Sequence, residues 1–163
     1  AWNCRSCSGE MNKQVRFYHH GDTPDLAFVV DHAMQQKEYQ EVFLIGYSMG
    51  GNITLRYMGE RAEMVHPQIK RAMAVSVPCQ LAHCVKELEK PGKMFYNKRF
   101  YSKLREKLEE KGKLMPDKID LGPLKNGEIT SCRKLDRLYF APIHGYPNED
   151  TFYNDITSLN YFI

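Results

Sequence analysis

The sequence predicts an α/β fold, with helices covering a parallel sheet, followed by a mainly helical segment. Helix and strand patterns alternate over residues 1–80, and a glycine-rich turn joins one strand to the next helix. Such alternation is typical of right-handed crossovers and hence of a parallel sheet. We therefore expect an α/β core over 1–80, a helical cap or insertion over 81–158, and the start of a further core strand over 159–163.

The first predicted helix begins at Thr23. A hydroxyl side chain suits the N-cap, Pro24 suits the first turn, and Asp25 suits the positive end of the helix dipole. We expect the helix to end near Gln36. Its apolar residues recur at helical spacing and form one stripe, which consists of Leu26, Val29, Val30, Ala33 and Met34.

Two short apolar runs predict the strands. Residues 41–45 form a nearly continuous apolar run, which is typical of a strand buried on both faces of a parallel sheet, and Gly46 ends it. Residues 71–77 predict a second strand, which Pro78 closes. The apolar spacing over 52–60 predicts a helix between them.

The rest of the chain predicts helices and no further strand before residue 159. Residues 81–88 and 95–111 are amphipathic and charged, and no strand pattern interrupts them. Prolines and glycines then break the chain, and shorter helices are expected at about 128–138 and 148–158.

Composition excludes several classes of function. The 163 residues include 23 basic and 20 acidic side chains, a net charge of +3 that is too small for a nucleic-acid-binding protein. Basic residues cluster over 86–113, but the acidic residues among them indicate a solvated helix face. The longest apolar runs are far shorter than a membrane span. A small molecule is therefore the expected partner, and the oligomeric state stays open.

The five cysteines predict reduced thiols in the cytoplasm, since their count is odd and their spacing does not match a disulfide framework. Cys4 and Cys7 have the spacing of a redox or zinc pair, and Cys79 with Cys84 could complete four sulfurs. Only one of these pairs has the two-residue gap, which disfavours structural zinc. We expect no metal and no cofactor.

Residues 46–50 match the pattern G-x-S-x-G and lie directly between a predicted strand and a predicted helix. In a nucleophile elbow the serine occupies a strained turn, and glycines two positions before and after it give the chain room. Gly51 fits the same crowding. Ser48 is thus the candidate nucleophile, and the backbone N–H of Met49 is the candidate oxyanion donor. A phosphate-binding turn is disfavoured because the Lys-Ser/Thr ending is absent.

A serine nucleophile also needs a general base and an orienting acid. No predicted strand delivers a later histidine to the carboxyl edge of the sheet, so we expect structural roles for these histidines. They are His66, His83 and His144, and the acids Asp117, Asp120 and Asp136 precede the last of them.

Four segments in this order resemble the YheT-like branch of the α/β-hydrolases, which includes plant embryogenesis-associated proteins and animal abhydrolase-domain lipases: residues 3–10, 18–23, 46–52 and 141–146. The resemblance implies a partial α/β-hydrolase fold and a serine esterase or lipase, acting on small-molecule or lipid esters through Ser48. Members of the branch more often carry an aromatic residue and a glycine where this chain has Cys4 and Ser6.

The resemblance further implies that this chain is an internal fragment, inactive alone, whose catalytic acid and histidine lie elsewhere in a longer protein. A non-catalytic interaction or lipid-binding module that retains the elbow is the alternative, and an acyltransferase also stays open. The aromatic side chains that motivate the alternative are Phe95, Tyr96, Phe100 and Tyr101.

Overall fold

The structure is a computed structural model that describes residues 1–162. It divides into two compact units. Of the described residues, the first contains 1–2, 19–81 and 153–162, and the second contains 3–18 and 82–152. Residues 3–18, expected from the sequence in the α/β core, group with the helical segment in this division.

The first unit contains two helices that alternate with two strands. They are α1 (Thr23–Gln36), β1 (Val42–Tyr47), α2 (Met49–Arg61) and β2 (Ile69–Val75). β1 and β2 pair in parallel, with Phe43 opposite Arg71 and Tyr47 opposite Val75. The predicted α/β class, element order and parallel pairing are confirmed.

The start of α1 differs from the prediction in its capping residue. Asp22, not Thr23, occupies the N-cap position, and Thr23 is the first helical residue. The Thr23 hydroxyl instead donates a hydrogen bond to Oε2 of Glu60 at 2.5 Å. α1 buries Leu26 and Val30 as the apolar stripe predicts.

β1 is buried on one face only, so the prediction of burial on both faces was wrong. Successive side chains of a strand point to opposite faces. Gly46 is buried, but Phe43, Ile45 and Tyr47 on the other face are 54%, 59% and 68% exposed. The sheet has two strands within residues 1–162, and α2 packs on both of them. We refer to these three side chains as the open face of β1.

Two predicted strand boundaries also differ. β2 ends at Val75 because Ser76 has a φ of +54°, which leaves the extended conformation. Residues Ser158–Tyr161 form a 3₁₀ turn where the start of a strand was predicted over 159–163. The Leu159 N–H donates to the carbonyl of Cys79 at 3.1 Å, which fixes the turn. Ile163 lies outside the described residues.

The second unit consists of helices and loops. They include α3 (Leu81–Leu88), α4 (Met94–Leu114), α5 (Gly122–Lys125), α6 (Cys132–Leu135), a π-helical turn (Asp136–Phe140), α7 (Ala141–Ile143) and α8 (Glu149–Ile156), of which α3 and α8 extend into the first unit. Phe17, Leu108, Leu135 and Phe140 form much of the core. The helix predicted at 128–138 begins later, at Cys132, because Ser131 accepts a capping hydrogen bond from the Lys134 N–H.

A buried carboxylate holds α8 to the helices before it. Glu149 is 1% exposed, and it binds Nε of Arg133 at 3.2 Å and Nε of Arg137 at 2.8 Å. These hydrogen bonds lower the pKa of Glu149 to about 2, and the bond with Arg137 contributes most. Burial opposes the shift. The carboxylate is buried, whereas Arg133 and Arg137 are partly exposed, so the stability that the carboxylate supplies comes from its ionised form being favoured in the folded state.

We expect Glu149→Ala to lower the free energy of unfolding by about 3 kcal/mol at pH 7. Because the folded pKa lies below the ordinary unfolded value of about 4.3, the stability that the carboxylate supplies is complete above that pH and is lost toward pH 2. Urea unfolding at pH 7 and pH 3 measures both effects. Asp150→Ala, at an exposed partner of Arg133, is the control and should cost less than about 1 kcal/mol. Equal losses in the two variants would contradict this assignment.

Candidate active site

Ser48 occupies the turn between β1 and α2 in a strained backbone conformation. Its φ is +50° and its ψ is −119°, a region that residues with side chains rarely adopt and that costs about 1–3 kcal/mol. Its N–H donates to the carbonyl of Val75 at 2.9 Å, and its carbonyl accepts from the Asn52 N–H at 3.2 Å. The sheet and the helix therefore fix the Ser48 backbone from both sides while the residue stays exposed.

Two of the glycines around Ser48 are required by crowding. A Cβ atom on Gly46 would lie 2.3 Å from the Gly50 carbonyl oxygen, and one on Gly51 would lie 2.4 Å from Cγ2 of Val77. A Cβ on Gly50 meets nothing within 4 Å, so the expectation that this glycine gives the turn room was wrong. The backbone carbonyl group of Gly50 is what lies close to Gly46 and excludes a side chain there.

Met49 is the first residue of α2. The first N–H groups of a helix have no acceptor within the helix, and the helix dipole makes this end positive. Such an N–H can donate to an oxygen that becomes negative when a neighbouring serine attacks a carbonyl. This placement makes the Met49 amide available for the oxyanion role that the sequence suggests.

Within residues 1–162, no group donates or accepts a hydrogen bond at Oγ of Ser48. His66 binds Asp31 at 2.7 Å and precedes β2. Because β1 and β2 run in the same direction, the start of β2 and the end of β1 lie at opposite edges of the sheet. Ser48 follows the carboxyl end of β1, so His66 and Ser48 lie at opposite edges. His66 is therefore not placed to serve as the base.

The other two histidines singled out in the sequence lie in the second unit. Nδ1 of His144 is 2.7 Å from the Phe140 carbonyl oxygen, and its Nε2 is 2.9 Å from that of Phe17. The ring also stacks on Phe152. A backbone carbonyl oxygen lies within hydrogen-bond distance of each ring nitrogen of His144, which fits a structural role. His83 is exposed, 3.9 Å from Glu87.

Two histidines before α1 have environments that the sequence did not reveal. Nδ1 of His19 accepts from the Gly21 N–H at 3.0 Å, and its Nε2 lies 3.3 Å from Asp22. Burial lowers the pKa of His20 to about 4, so this ring is neutral at pH 7. The His20 carbonyl is bound by a side chain of α2.

That side chain is Asn52, to which the sequence analysis gave no role. It is fully buried, and its Nδ2 donates to the carbonyls of His20 and Ile156, each at 2.9 Å. Its Oδ1 accepts from the Ser158 N–H, also at 2.9 Å. The signal that the sequence offered for this role was an asparagine directly after two glycines, at the start of a predicted helix. Asn52 thereby holds two loops of the first unit against the start of α2.

Residues 1–162 contain neither a group of three or more side chains placed to hold a metal ion nor a helix long and apolar enough to cross a membrane.

Several known proteins similar to this chain are named as an esterase, a lipase or a phospholipase. The family profile described as serine aminopeptidase, S33, matches residues 14–125, which include β1, Ser48 and α2. YheT of Escherichia coli, which is named as an esterase, is 25% identical over 155 residues, covering 95% of this chain and 45% of YheT. Monoacylglycerol lipase of Saccharomyces cerevisiae is 25% identical over 166 residues, covering 96% of this chain and 36% of the lipase.

Phospholipase ABHD3 of Mus musculus is 26% identical over 155 residues, covering 94% of this chain and 37% of the phospholipase. The chain therefore spans less than half the length of each of these relatives. No solved structure matches the chain significantly.

Proposed function

The chain belongs to the serine aminopeptidase S33 family of α/β-hydrolases, and from that membership we propose that Ser48 is the nucleophile of a carboxylic-ester hydrolase. The activity is proposed for the whole protein, since the chain covers less than half of its relatives. The relatives named as lipase and phospholipase favour a lipid ester as the substrate class.

The observation that carries the proposal is the strained backbone of Ser48. A positive φ at a residue with a side chain persists only where the surroundings enforce it, and such strain is concentrated at functional sites. Here Gly46, Gly51 and Asn52 enforce it, and the serine is left exposed at the start of a helix. This is the placement that the chemistry of a serine hydrolase requires.

In the proposed reaction, Oγ of Ser48 attacks the ester carbonyl carbon and gives its proton to a general base. The Met49 N–H stabilises the oxyanion, and the bond from carbon to the alcohol oxygen then breaks as the base returns the proton to the leaving alcohol. Water cleaves the resulting acyl-enzyme by the same steps. The base and its orienting acid are expected from residues outside this chain.

Ser48→Ala in the full-length protein tests the proposal. We expect hydrolysis of p-nitrophenyl esters to fall at least about a thousandfold, because the nucleophile itself is lost. Ser76→Ala is the matched control, since Ser76 is also an exposed serine with positive φ after a strand, and it should keep the activity. A fluorophosphonate probe should label the wild type and the Ser76 variant only.

Undiminished ester hydrolysis in the Ser48 variant would overturn the proposal. A wild-type protein that folds but neither hydrolyses esters nor reacts with the probe would favour the alternative, a non-catalytic interaction or lipid-binding module. Preference for aminoacyl p-nitroanilides over esters would move the substrate class to peptides. The 163-residue chain alone, treated with the same probe, reports whether it contains an activating base.

A further inference from the structure

A second cluster of reactive side chains lies in the second unit: Cys4, Cys7, Tyr18 and Lys107. Cys4 and Cys7 are the first and last residues of a tight turn, which the Cys7 N–H closes by donating to the Cys4 carbonyl at 3.0 Å. Ser6, the third residue of the turn, has a φ of +59°. A β-turn holds its end Cα atoms within about 7 Å, which overlaps the span that a disulfide bridges.

Lys107 of α4 lies against this turn. Its Nζ is 3.1 Å from Sγ of Cys7, 2.7 Å from the Ser6 carbonyl oxygen and 4.5 Å from the centre of the Tyr18 ring. Burial lowers the pKa of Lys107, but its contacts with Cys7 and Tyr18 outweigh that effect and raise it. The ammonium therefore keeps its charge beside the Cys7 sulfur, where it can attract an electron-rich sulfur and a negatively charged reaction partner.

The phenol of Tyr18 interacts electrostatically with Lys107 and with both cysteines. Burial raises the pKa of the phenol, the Lys107 ammonium opposes this shift, and negative charge on Cys7 or on Cys4 adds to it. The two sulfurs differ in access, because Cys7 is exposed and Cys4 is half-buried. The exposed sulfur beside the lysine is suited to attack, and its neighbour is suited to resolve the product.

We propose that Cys4 and Cys7 form a redox-active dithiol, with Lys107 activating Cys7 toward small-molecule disulfides such as oxidised glutathione. The Cys7 thiolate attacks one sulfur of glutathione disulfide, whose S–S bond breaks and releases one glutathione thiolate. Cys4 gives its proton to solvent and attacks the Cys7 sulfur, which releases the second thiolate. Two protein thiols are oxidised by two electrons, and one disulfide is reduced to two thiols.

Peptide mapping of the folded chain tests the proposal. After incubation with oxidised glutathione and alkylation of remaining thiols, trypsin cleaves after Arg5 and Lys13, so Cys4 and Cys7 fall in different peptides, 1–5 and 6–13. We expect one disulfide-joined species, which dithiothreitol separates. Cys4→Ser should stop at glutathione bound to Cys7, and Cys7→Ser should leave Cys4 unmodified over the same time.

Lys107→Gln should slow the reaction about tenfold by removing the charge that attracts the sulfur and its negatively charged reaction partner, while Lys107→Arg should keep most of the rate. Lys103→Gln, at an exposed lysine of the same helix that pairs with Glu106, is the matched control and should react at the wild-type rate. Circular dichroism confirms the fold of each variant. An unchanged rate in a folded Lys107→Gln variant, or wild-type protein without the joined peptides, would overturn the proposal.

Discussion

Gly46→Ala is expected to destabilise the first unit by about 3 kcal/mol and to abolish any activity that depends on Ser48. The added Cβ would lie 2.3 Å from the Gly50 carbonyl oxygen and 2.6 Å from the Gly51 nitrogen. Both are backbone atoms of the first turn of α2, so no side chain can move aside to relieve the clash. The start of the helix must shift, and the Ser48 turn shifts with it.

Gly50→Ala, at the other glycine of the G-x-S-x-G pattern, provides the matched control. Its Cβ meets nothing within 4 Å, and alanine favours a helix over glycine by about 1 kcal/mol. We expect its free energy of unfolding to equal or exceed that of the wild type. Urea denaturation followed by circular dichroism compares the two, and similar losses in both variants would show that the close approach at Gly46 does not limit stability.

Asn52→Ala is the second large effect expected, a loss of about 3 kcal/mol in the free energy of unfolding. The substitution leaves the carbonyls of His20 and Ile156 and the N–H of Ser158 without their bonds to this amide. Each such group, once buried without a partner, costs about 1–3 kcal/mol. Because these loops pack at the start of α2, the loss should also loosen the backbone of Ser48.

Two further variants make the Asn52 result specific. Asn52→Asp keeps an acceptor for the Ser158 N–H but turns a carboxylate toward two carbonyl oxygens, so it should be as destabilising at pH 7 and less so at pH 4. Asn160→Ala removes an exposed amide that donates to the Asn154 carbonyl at 2.7 Å, and should change stability by less than about 0.5 kcal/mol. An Asn52→Ala variant whose free energy of unfolding in urea equals that of the wild type would contradict the assigned role.

The features predicted from the sequence are those with local causes. Pro24 and Asp25 mark the start of α1 within one turn, and the glycines at 46 and 51 mark a tight strand-to-helix turn around Ser48. These signals depend on neighbours a few residues away. The α/β class and the candidate nucleophile could therefore be predicted without the structure.

The features that escaped prediction depend on distant partners. The bonds of Asn52 reach residues 32 to 106 positions away, and the contact between Lys107 and Cys7 spans 100 positions. Hydrophobic spacing carries no information about such pairs. A continuous apolar run likewise does not reveal whether one or both faces of β1 are covered, which is why its exposure was not predicted.

The open face of β1 also affects how the chain behaves at high concentration. Val42–Tyr47 is a six-residue strand without a charged residue or a proline, and its exposed face carries large apolar side chains. Segments of this kind readily pair with copies of themselves when they are exposed. The net charge of +3 offers little repulsion against such pairing, so colloidal stability of the isolated chain depends on low protein concentration and low salt.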